Sequence, residues 1–337
     1  DDNGGEKGLN VPRSLRIEFP ISGEFLDEDQ SNKEYKKGIN SYLQGTYESR
    51  ILAANHFKKS LFHKYKENPA LGQIILTYAE LLPNTSNMRE AGNTLYKLIK
   101  IARSKQLKDI NVSMGTALFY YHFKKFYTSK VVLENYLRVS KPSVKFLGYY
   151  LMILLEVGDL TKAKQLYSKL ESIKNKPLNV YISLSRYLDV IEERDKAYQQ
   201  LIDARKIYGK SVLLLLEELK YTLRDQDYKK FARILKAIER FKAEGSPVYY
   251  AKWLENMGVL KVLQNKAEQA NKYFKLALKI KESDELRSKL STLEMGGSNS
   301  TDSLILESKI IDLMTKAKKA KREKKWRQAF SFAIEAS

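Results

Sequence analysis

Cysteine is absent from all 337 residues of the sequence. Disulfide bridges, zinc–thiolate sites and cysteine nucleophiles are therefore excluded. A chain of this length without cysteine favours an oxidising compartment, where stray thiols are a liability. We therefore expect a bacterial periplasm or cell envelope, with the cytoplasm as the alternative location.

Chain breakers and long apolar runs are also scarce. The sequence has only 16 glycines and 7 prolines, too few for the many turns of an all-β protein, and this leaves room for long helices. No apolar run approaches the roughly 18 residues of a membrane-spanning helix. The longest runs, 146–155 and 212–216, are soon interrupted by Glu156 and by Glu217 with Glu218. They predict helices buried in a protein core.

Motifs for catalysis and cofactor binding are missing. The sequence contains no phosphate-binding P-loop, no dinucleotide-binding glycine motif and no serine nucleophile elbow. Of the three histidines, His56 and His63 lie seven positions apart, which is not the i, i+4 spacing of a helical zinc pair. We predict no catalytic residue, no cofactor and no metal site, and expect that the chain is not an enzyme.

Two pairs of adjacent carboxylates, Glu192–Glu193 and Glu217–Glu218, could suggest acid–base chemistry. Adjacent residues on a helix point in different directions, and lysines and arginines surround both pairs. We interpret both pairs as exposed helix faces.

Negative charge is outnumbered, since 60 lysines and arginines face 40 aspartates and glutamates, giving a net charge of +20. Such a surface favours anionic partners: nucleic acid, an anionic membrane surface, a cell-wall polymer or an acidic protein. The charge is spread along the chain, so lysines that solvate helix faces are the favoured interpretation. The densest basic patch is interpreted as a lysine-rich turn between two helices, rather than a site for lipid or nucleic acid. It comprises Lys318, Lys319, Arg322 and Lys325.

A repeat organises the middle of the sequence. In 158–167, a Gly-Asp turn precedes a hydrophobe, the small residue Ala163 and then the aromatic Tyr167. The same pattern of residue types recurs in three more units, at intervals of about 34 residues. The corresponding positions are filled by Phe126, Ser129 and Leu133; by Arg194, Ala197 and Leu201; and by Tyr228, Phe231 and Leu235.

The next unit is displaced by the longer turn Gly245-Ser246-Pro247 and is the best single match. Its first helix carries Leu254, Met257 and Gly258, and its second carries Ala270, Phe274 and Ala277. Weaker units flank the array, marked by Ala53, Phe57 and Ser60; by Met88, Ala91, Leu95 and Leu98; and by Trp326, Ala329 and Ala333.

These units resemble the tetratricopeptide-repeat superfamily over residues 33–337, most closely over 116–282. The resemblance implies an all-α fold, a right-handed α-solenoid of about seven to eight helical hairpins. The best unit departs from the family pattern in having Lys261 in place of an aromatic residue and no closing proline.

We predict four segments. Residues 1–30 form a flexible or irregular N-terminal segment, 31–295 the solenoid, 296–302 a linker, and 303–337 the start of a further repeat that we expect to continue past the last residue. Residues 13–19 alternate like a short strand, for which packing across the first repeat is favoured over addition to a partner's sheet. Ser31 with Glu34 predicts a capping box for the first helix.

In the family resembled, the first helix of each hairpin lines a concave face that holds segments of other proteins. The resemblance therefore implies a non-catalytic protein–protein interaction scaffold or adaptor, for which we expect a place in a bacterial cell-envelope assembly. The alternatives are an RNA- or DNA-binding repeat protein and the solenoid arm of a larger enzyme. The candidate partner-binding residues are Tyr120, Tyr121, Tyr149, Tyr181, Arg186, Tyr221, Arg224, Tyr249 and Lys252, although their tyrosines could equally be core between repeats.

Overall fold

A computed structural model describes residues 15–21, 26–85, 87–105, 109–209, 211–241 and 245–295. Within those ranges no helix is both long and apolar enough to span a bilayer. The α-helices that the structure describes are α1 Glu28–Leu43, α2 Tyr47–His63, α3 Ala70–Leu81, α4 Met88–Ser104, α5 Ile110–His122, α6 Phe126–Leu137, α7 Val144–Val157, α8 Leu160–Glu171, α9 Leu178–Val190, α10 Arg194–Tyr208, α11 Val212–Arg224, α12 Tyr228–Arg240, α13 Pro247–Leu263, α14 Ala267–Ile280 and α15 Asp284–Met295.

The helices form seven successive antiparallel hairpins, from α1–α2 to α13–α14, followed by α15. The second helices α6, α8, α10 and α12 begin at Phe126, Leu160, Arg194 and Tyr228, each 34 residues after the previous one. The next second helix, α14, begins later because of the longer turn before α13. The predicted α-solenoid of helical hairpins is thus confirmed.

Glycine and small residues allow each hairpin to close and stack. Gly158 ends α7 in the left-handed conformation, with φ of 77°, and Asp159 caps α8 by accepting a hydrogen bond from the Lys162 amide at 3.2 Å. A Cβ on Gly258 would fall within 2.5 Å of ring atoms of Phe274. Each second helix then packs on the first helix of the following hairpin, so neighbouring hairpins bury apolar surface against each other.

The segment before α1 packs across the first two hairpins, as favoured from the sequence. Ile17 is buried, the Leu15 amide donates to the Asn84 carbonyl at 3.3 Å, and the Tyr78 hydroxyl donates to the Glu18 carbonyl at 3.1 Å. Leu15 forms only an isolated bridge with Thr85.

The capping-box prediction was wrong. Helix α1 begins at Glu28, and Asp27 caps it by accepting from the Gln30 amide at 2.9 Å. Ser31 is instead buried within the helix, where its hydroxyl donates to the Ser60 carbonyl at 3.0 Å. The pattern was misread because a serine in a polar helix can serve a helix–helix contact as well as a cap.

The hairpin array turns until its seventh hairpin contacts its second. The Ser246 hydroxyl, at the start of α13, donates to the Asn84 side-chain carbonyl in the 3-10 turn Leu82–Asn84, and both residues are buried. Gly245 lies beside the Glu48 side chain of α2. We call this contact between Asn84 and Ser246 the closing contact.

The predicted linker 296–302 and the further repeat 303–337, with the basic patch Lys318, Lys319, Arg322 and Lys325, lie outside the described residues.

Candidate functional site: the polar inner face

Charged residues interrupt the otherwise largely apolar first helices α3, α7 and α11. Glu80 lies near the end of α3, Glu156 near the end of α7 and Glu217 in the middle of α11. Helices α3, α5, α7 and α9 contact one another in series. The charged residues of the first helices therefore meet residues of neighbouring hairpins, and we call the surface they form the inner face.

A cluster around Glu80 joins the first, second and fourth hairpins. The Glu80 Oε1 atom accepts from the Tyr42 hydroxyl at 2.8 Å and the Tyr149 hydroxyl at 2.5 Å, and it pairs with the Lys145 Nζ atom at 2.7 Å. Lys145 also donates to the Tyr42 hydroxyl. The Arg50 Nε atom lies 3.6 Å from Glu80 Oε2. We call these five residues the central cluster.

Cations keep the central carboxylate ionised. Burial alone would raise the pKa of Glu80, but Lys145 and Arg50 lower it to about 2. Burial also lowers the pKa of Lys145, and Arg50 lowers it further, whereas Glu80 raises it. The cluster therefore contains two cations and one carboxylate, a net charge of +1.

A second polar network runs along the later first helices. Arg186 of α9 donates to Glu217 of α11 at 2.7 Å, and Lys220 donates to the other Glu217 oxygen at 2.6 Å. The Tyr121 hydroxyl donates to Glu156 at 3.4 Å, and both act electrostatically on Arg186. We call these five residues the inner ladder.

The inner ladder is an ion-pair network whose central carboxylate, Glu217, is buried. Burial would raise the pKa of Glu217, yet Arg186 and Lys220 lower it to about 2. Glu217 in turn raises the pKa of Arg186. Removing either partner would leave a charge without compensation, which costs more than an exposed ion pair is worth.

One interpretation of the paired carboxylates was wrong. Glu192 and Glu193 are exposed, but they lie in the turn between α9 and α10. Glu217 and Glu218 are buried, and they pair with different arginines. Glu218 accepts two hydrogen bonds from Arg205 Nη1, at 3.1 and 2.9 Å. Adjacent residues on a helix point in different directions, as expected. The predicted exposure was wrong, because each carboxylate pairs with a different arginine and is buried there.

A third set of charges lies where the array closes. Burial lowers the pKa of His122 to about 4, and Lys281, which follows α14, lowers it as well, while Glu80 acts in the opposite direction. Burial lowers the pKa of Lys281, and so does Lys252. His122 therefore lies between the central cluster and the cations of the seventh hairpin.

The structure brings several predicted binding residues together on the inner face. Tyr149 belongs to the central cluster, and Tyr121 and Arg186 belong to the inner ladder. Tyr249 lines a small cavity with Arg50 and Glu80, and Lys252 is exposed one helical turn further along α13.

Three of the predicted tyrosines are buried. Tyr181 and Tyr221 are each 6% exposed, and Tyr149 is 8% exposed, so these three side chains offer a partner little surface. Their role in partner binding stays a prediction, beside the alternative that they are core between hairpins. Tyr120 lies edge-on to Phe119.

Arg224 is also occupied within the protein. It donates to Asp189 at 3.0 Å and lies over the Tyr221 ring, 4.9 Å from its centroid.

Sequence reasoning missed the residues that organise the inner face. Arg50, Glu80, Lys145 and Lys281 carry no repeat signature. The available signal was a lone carboxylate inside an apolar helix, as in 70–81, because a buried charge needs a partner. Its partner could not be identified, since it lies 30 or more positions away in the sequence.

Among the described residues, no group of three or more His, Asp or Glu side chains is arranged to hold a metal ion. The sequence matches no family model and no curated protein.

Solved structures, in contrast, match most of the chain. The Cut9 complex with Hcn1 matches with a TM-score of 0.63 and 11% identity, over 91% of this chain and 56% of that one. Human IFIT1 with m7Gppp-AAAA matches with a TM-score of 0.62 and 14% identity, over 91% of this chain and 71% of that one.

The fold is a tetratricopeptide-repeat solenoid. The hairpin stacking, the 34-residue spacing and the two structural matches together show this fold. The chain spans little more than half the length of the Cut9 chain that it matches. Stacked repeats form extended concave surfaces, so the inner face is the candidate functional site.

Proposed function

We propose that this tetratricopeptide-repeat solenoid is a non-catalytic scaffold that holds a segment of another protein against its inner face. The observation that carries the proposal is the placement of tyrosine, arginine and lysine side chains on first helices along the array. Tyr121 of α5 and Arg186 of α9 belong to the inner ladder, and Lys252 of α13 acts on Glu285 together with Lys220 of that ladder. Tyrosine and arginine are enriched at binding hot spots. A repeat array supplies such residues at regular intervals along a partner segment.

Site-specific photocrosslinking in cells tests this proposal. A photoreactive phenylalanine analogue at Lys252, on the inner face, should capture a protein partner. The matched control is the same analogue at Tyr127, which is 73% exposed on the second helix α6. Equal capture at both positions, or no protein captured at position 252, would contradict the proposal.

RNA binding is the second candidate. Its support is the net charge of +20 and the likeness to human IFIT1 with PPP-AAAA, at a TM-score of 0.60 and 15% identity. The carboxylates Glu156 and Glu217 on the inner ladder oppose it, since they would repel a phosphate backbone. A gel shift with 5′-triphosphate RNA at several salt concentrations decides: retention that falls steeply with salt supports RNA binding, and no retention at low salt removes it.

We also propose a location in the bacterial periplasm or envelope. The absence of cysteine is its support. Fractionation of cells that express the natural gene tests it, and recovery with cytoplasmic markers alone would overturn it.

A further inference from the structure

Positive charge is concentrated in the second and third hairpins. Residues 88–133 contain nine lysines and arginines but only two carboxylates, Glu90 and Asp109. Asp109 is occupied in capping α5, and Glu90 accepts a hydrogen bond from the Asn87 side chain at 3.4 Å in the first turn of α4. This stretch therefore carries a net charge of +7, out of +20 for the whole chain.

Six cations of α4 and the α5–α6 turn are exposed and have no carboxylate within ion-pairing distance in the part of the chain that the structure describes. They are Arg89, Lys97, Lys100, Arg103, Lys124 and Lys125. Lysines on later second helices differ, because Lys162 of α8 pairs with Glu134 at 2.7 Å and Lys206 of α10 pairs with Asp203 at 2.8 Å. The unpaired charge is thus a property of this part of the array.

Aromatic contacts bring α4 and the α5–α6 turn together. The Tyr96 ring of α4 stacks on Phe119 of α5 with centroids 5.6 Å apart, and a Cβ on Gly92 would fall 2.5 Å from the Phe123 ring. Phe123 directly precedes the two turn lysines. Lys100 lies one helical turn after Tyr96, and its Nζ atom covers that ring at 5.0 Å from the centroid. The cations of α4 and of the turn therefore border one surface.

Exposed apolar side chains continue this surface on α6. Tyr127 is 73% exposed and Val131 is 49% exposed, and the two lie one helical turn apart on the same side of α6, directly after the turn lysines. An apolar strip beside unpaired cations matches a partner that offers negative charge and an apolar layer together. We call this set the outer surface; it comprises Lys97, Lys100, Lys124, Lys125, Tyr127 and Val131.

We propose that the outer surface docks the protein on an anionic phospholipid membrane, with its lysines at the headgroups and Tyr127 and Val131 in the interface. The negative surface potential of such a membrane attracts lysines that lie close to it. Tyrosine is favoured at the boundary between headgroups and acyl chains, because its ring is apolar and its hydroxyl is polar. The outer surface contains no residue of the central cluster or the inner ladder, so docking leaves the inner face open to a protein segment.

Nucleic acid fits the outer surface less well than a membrane does. Single strands bind to aromatic rings whose faces are open to successive bases. The Tyr96 ring is covered by Phe119 and Lys100 instead, which leaves Tyr127 as the open ring of the outer surface. Val131 beside it offers a base no ring to stack on, whereas its burial in lipid is favourable.

Cosedimentation with vesicles tests the docking. One set of vesicles contains phosphatidylglycerol and phosphatidylcholine in equal parts, and the other contains phosphatidylcholine alone. The test variant is Lys100→Gln/Lys125→Gln, and the control variant Lys229→Gln/Lys236→Gln removes the same charge from exposed positions of α12. We expect wild type to bind the anionic vesicles alone, the test variant to bind them at least about tenfold more weakly, and the control to stay within about twofold of wild type.

Equal weakening in both variants would show attraction by net charge alone and would overturn the docking surface. Equal binding to both sets of vesicles, or no binding to the anionic set, would overturn it as well. If labelled hexauridylate binds wild type and not the test variant, while anionic vesicles do not bind, the outer surface is a nucleic-acid site instead.

An environment-sensitive fluorophore measures insertion without removing any charge. Because the chain has no cysteine, a nitrobenzoxadiazole label can be attached at Val131→Cys, with Ser168→Cys at an exposed position of α8 as the control. On anionic vesicles the emission at position 131 should shift to shorter wavelength and rise at least about twofold, while that at position 168 stays unchanged. Unchanged emission at position 131, or an equal change at both positions, would contradict the insertion of the outer surface.

Discussion

At the scale of single residues, His122 predicts how stability depends on pH. Burial and Lys281 lower its pKa to about 4 from an ordinary value of about 6.5, so the unfolded chain takes up a proton first as the pH falls. The contribution of neutral His122 to the free energy of unfolding is therefore complete above about pH 6.5. It falls by at most about 3 kcal/mol as the pH is lowered from about 6.5 to 4.

The substitution His122→Gln should make the free energy of unfolding less dependent on pH in that window. Urea denaturation of wild type and variant at pH 8 and at pH 5 measures the effect. The free energy of unfolding should fall more between pH 8 and pH 5 in wild type than in the variant. Glu80 and Glu217 do not interfere, because carboxylates with pKa values near 2 lose their contribution only below about 4.5. A gap that is the same at both pH values would contradict the assignment.

At single positions, the sequence predicted correctly which small residues are buried, but it did not predict which charged residues are buried. Ala163, Ala197 and Ala270 are fully buried, as the repeat predicted, because a small side chain at a helix crossing is a local requirement. The sequence predicts that Glu217 and Glu218 are exposed, because a charged residue is exposed unless a distant partner compensates it. That partner is visible only in three dimensions.

At the scale of helices, the contact between α13 and α14 depends on Gly258. A Cβ there would fall within 2.5 Å of the Phe274 ring, so Gly258→Ala should destabilise the protein by roughly 1–3 kcal/mol despite the better helix propensity of alanine. Thermal or urea denaturation measures it. The double variant Gly258→Ala/Phe274→Leu should lose less than the sum of its single variants, and strict additivity would show that the two residues do not press on each other.

The first residue of a helix can be predicted from the sequence where a turn residue directly precedes it. Gly158-Asp159 supplies both a left-handed helix end and a cap, and α8 begins directly after it. The start of α1 was misplaced because Asp27 and Ser31 are both good caps, and only the burial of Ser31 against Ser60 distinguishes them.

At the scale of the whole molecule, the apolar core is divided in two at α11. Leu214 and Tyr221 belong to the core of the earlier hairpins, whereas Val212 and Leu219 belong to that of the later ones. Repeat arrays are held by contacts between neighbours, so the two parts can unfold separately. Phe274→Ala, at a fully buried position of the later core, should cost about 3–5 kcal/mol and act mainly there.

Hydrogen exchange measures that division. In Phe274→Ala the amides of α12 to α15 should exchange faster, while those of α3 to α9 keep their wild-type protection. Uniform loss of protection along the chain would show a single cooperative unit instead.

The largest-scale feature, the closing contact, could not be predicted from the repeat, because it depends on small rotations added over five hairpins. The Ser246 hydroxyl donates to Asn84 and also accepts from the Tyr249 amide at 3.2 Å, which caps α13. Asn84→Ala removes the closing hydrogen bond and leaves this cap intact, whereas Ser246→Ala removes both. A double-mutant cycle should therefore give a coupling energy of about 1 kcal/mol between the two positions.

Since the chain has no cysteine, spin labels can be placed at will to observe the closure directly. Labels at Lys59→Cys in α2 and Lys272→Cys in α14 occupy exposed positions on the first and the seventh hairpin, which approach each other where Glu48 of α2 lies beside Gly245. In Asn84→Ala the distance distribution measured by pulsed electron paramagnetic resonance should broaden towards longer values, because the array is then free to open. A distance distribution identical to that of the labelled parent, together with a coupling energy of zero between Asn84 and Ser246, would contradict this prediction. It would mean that hairpin stacking alone determines the curvature of the array and that the closing contact does not stabilise it.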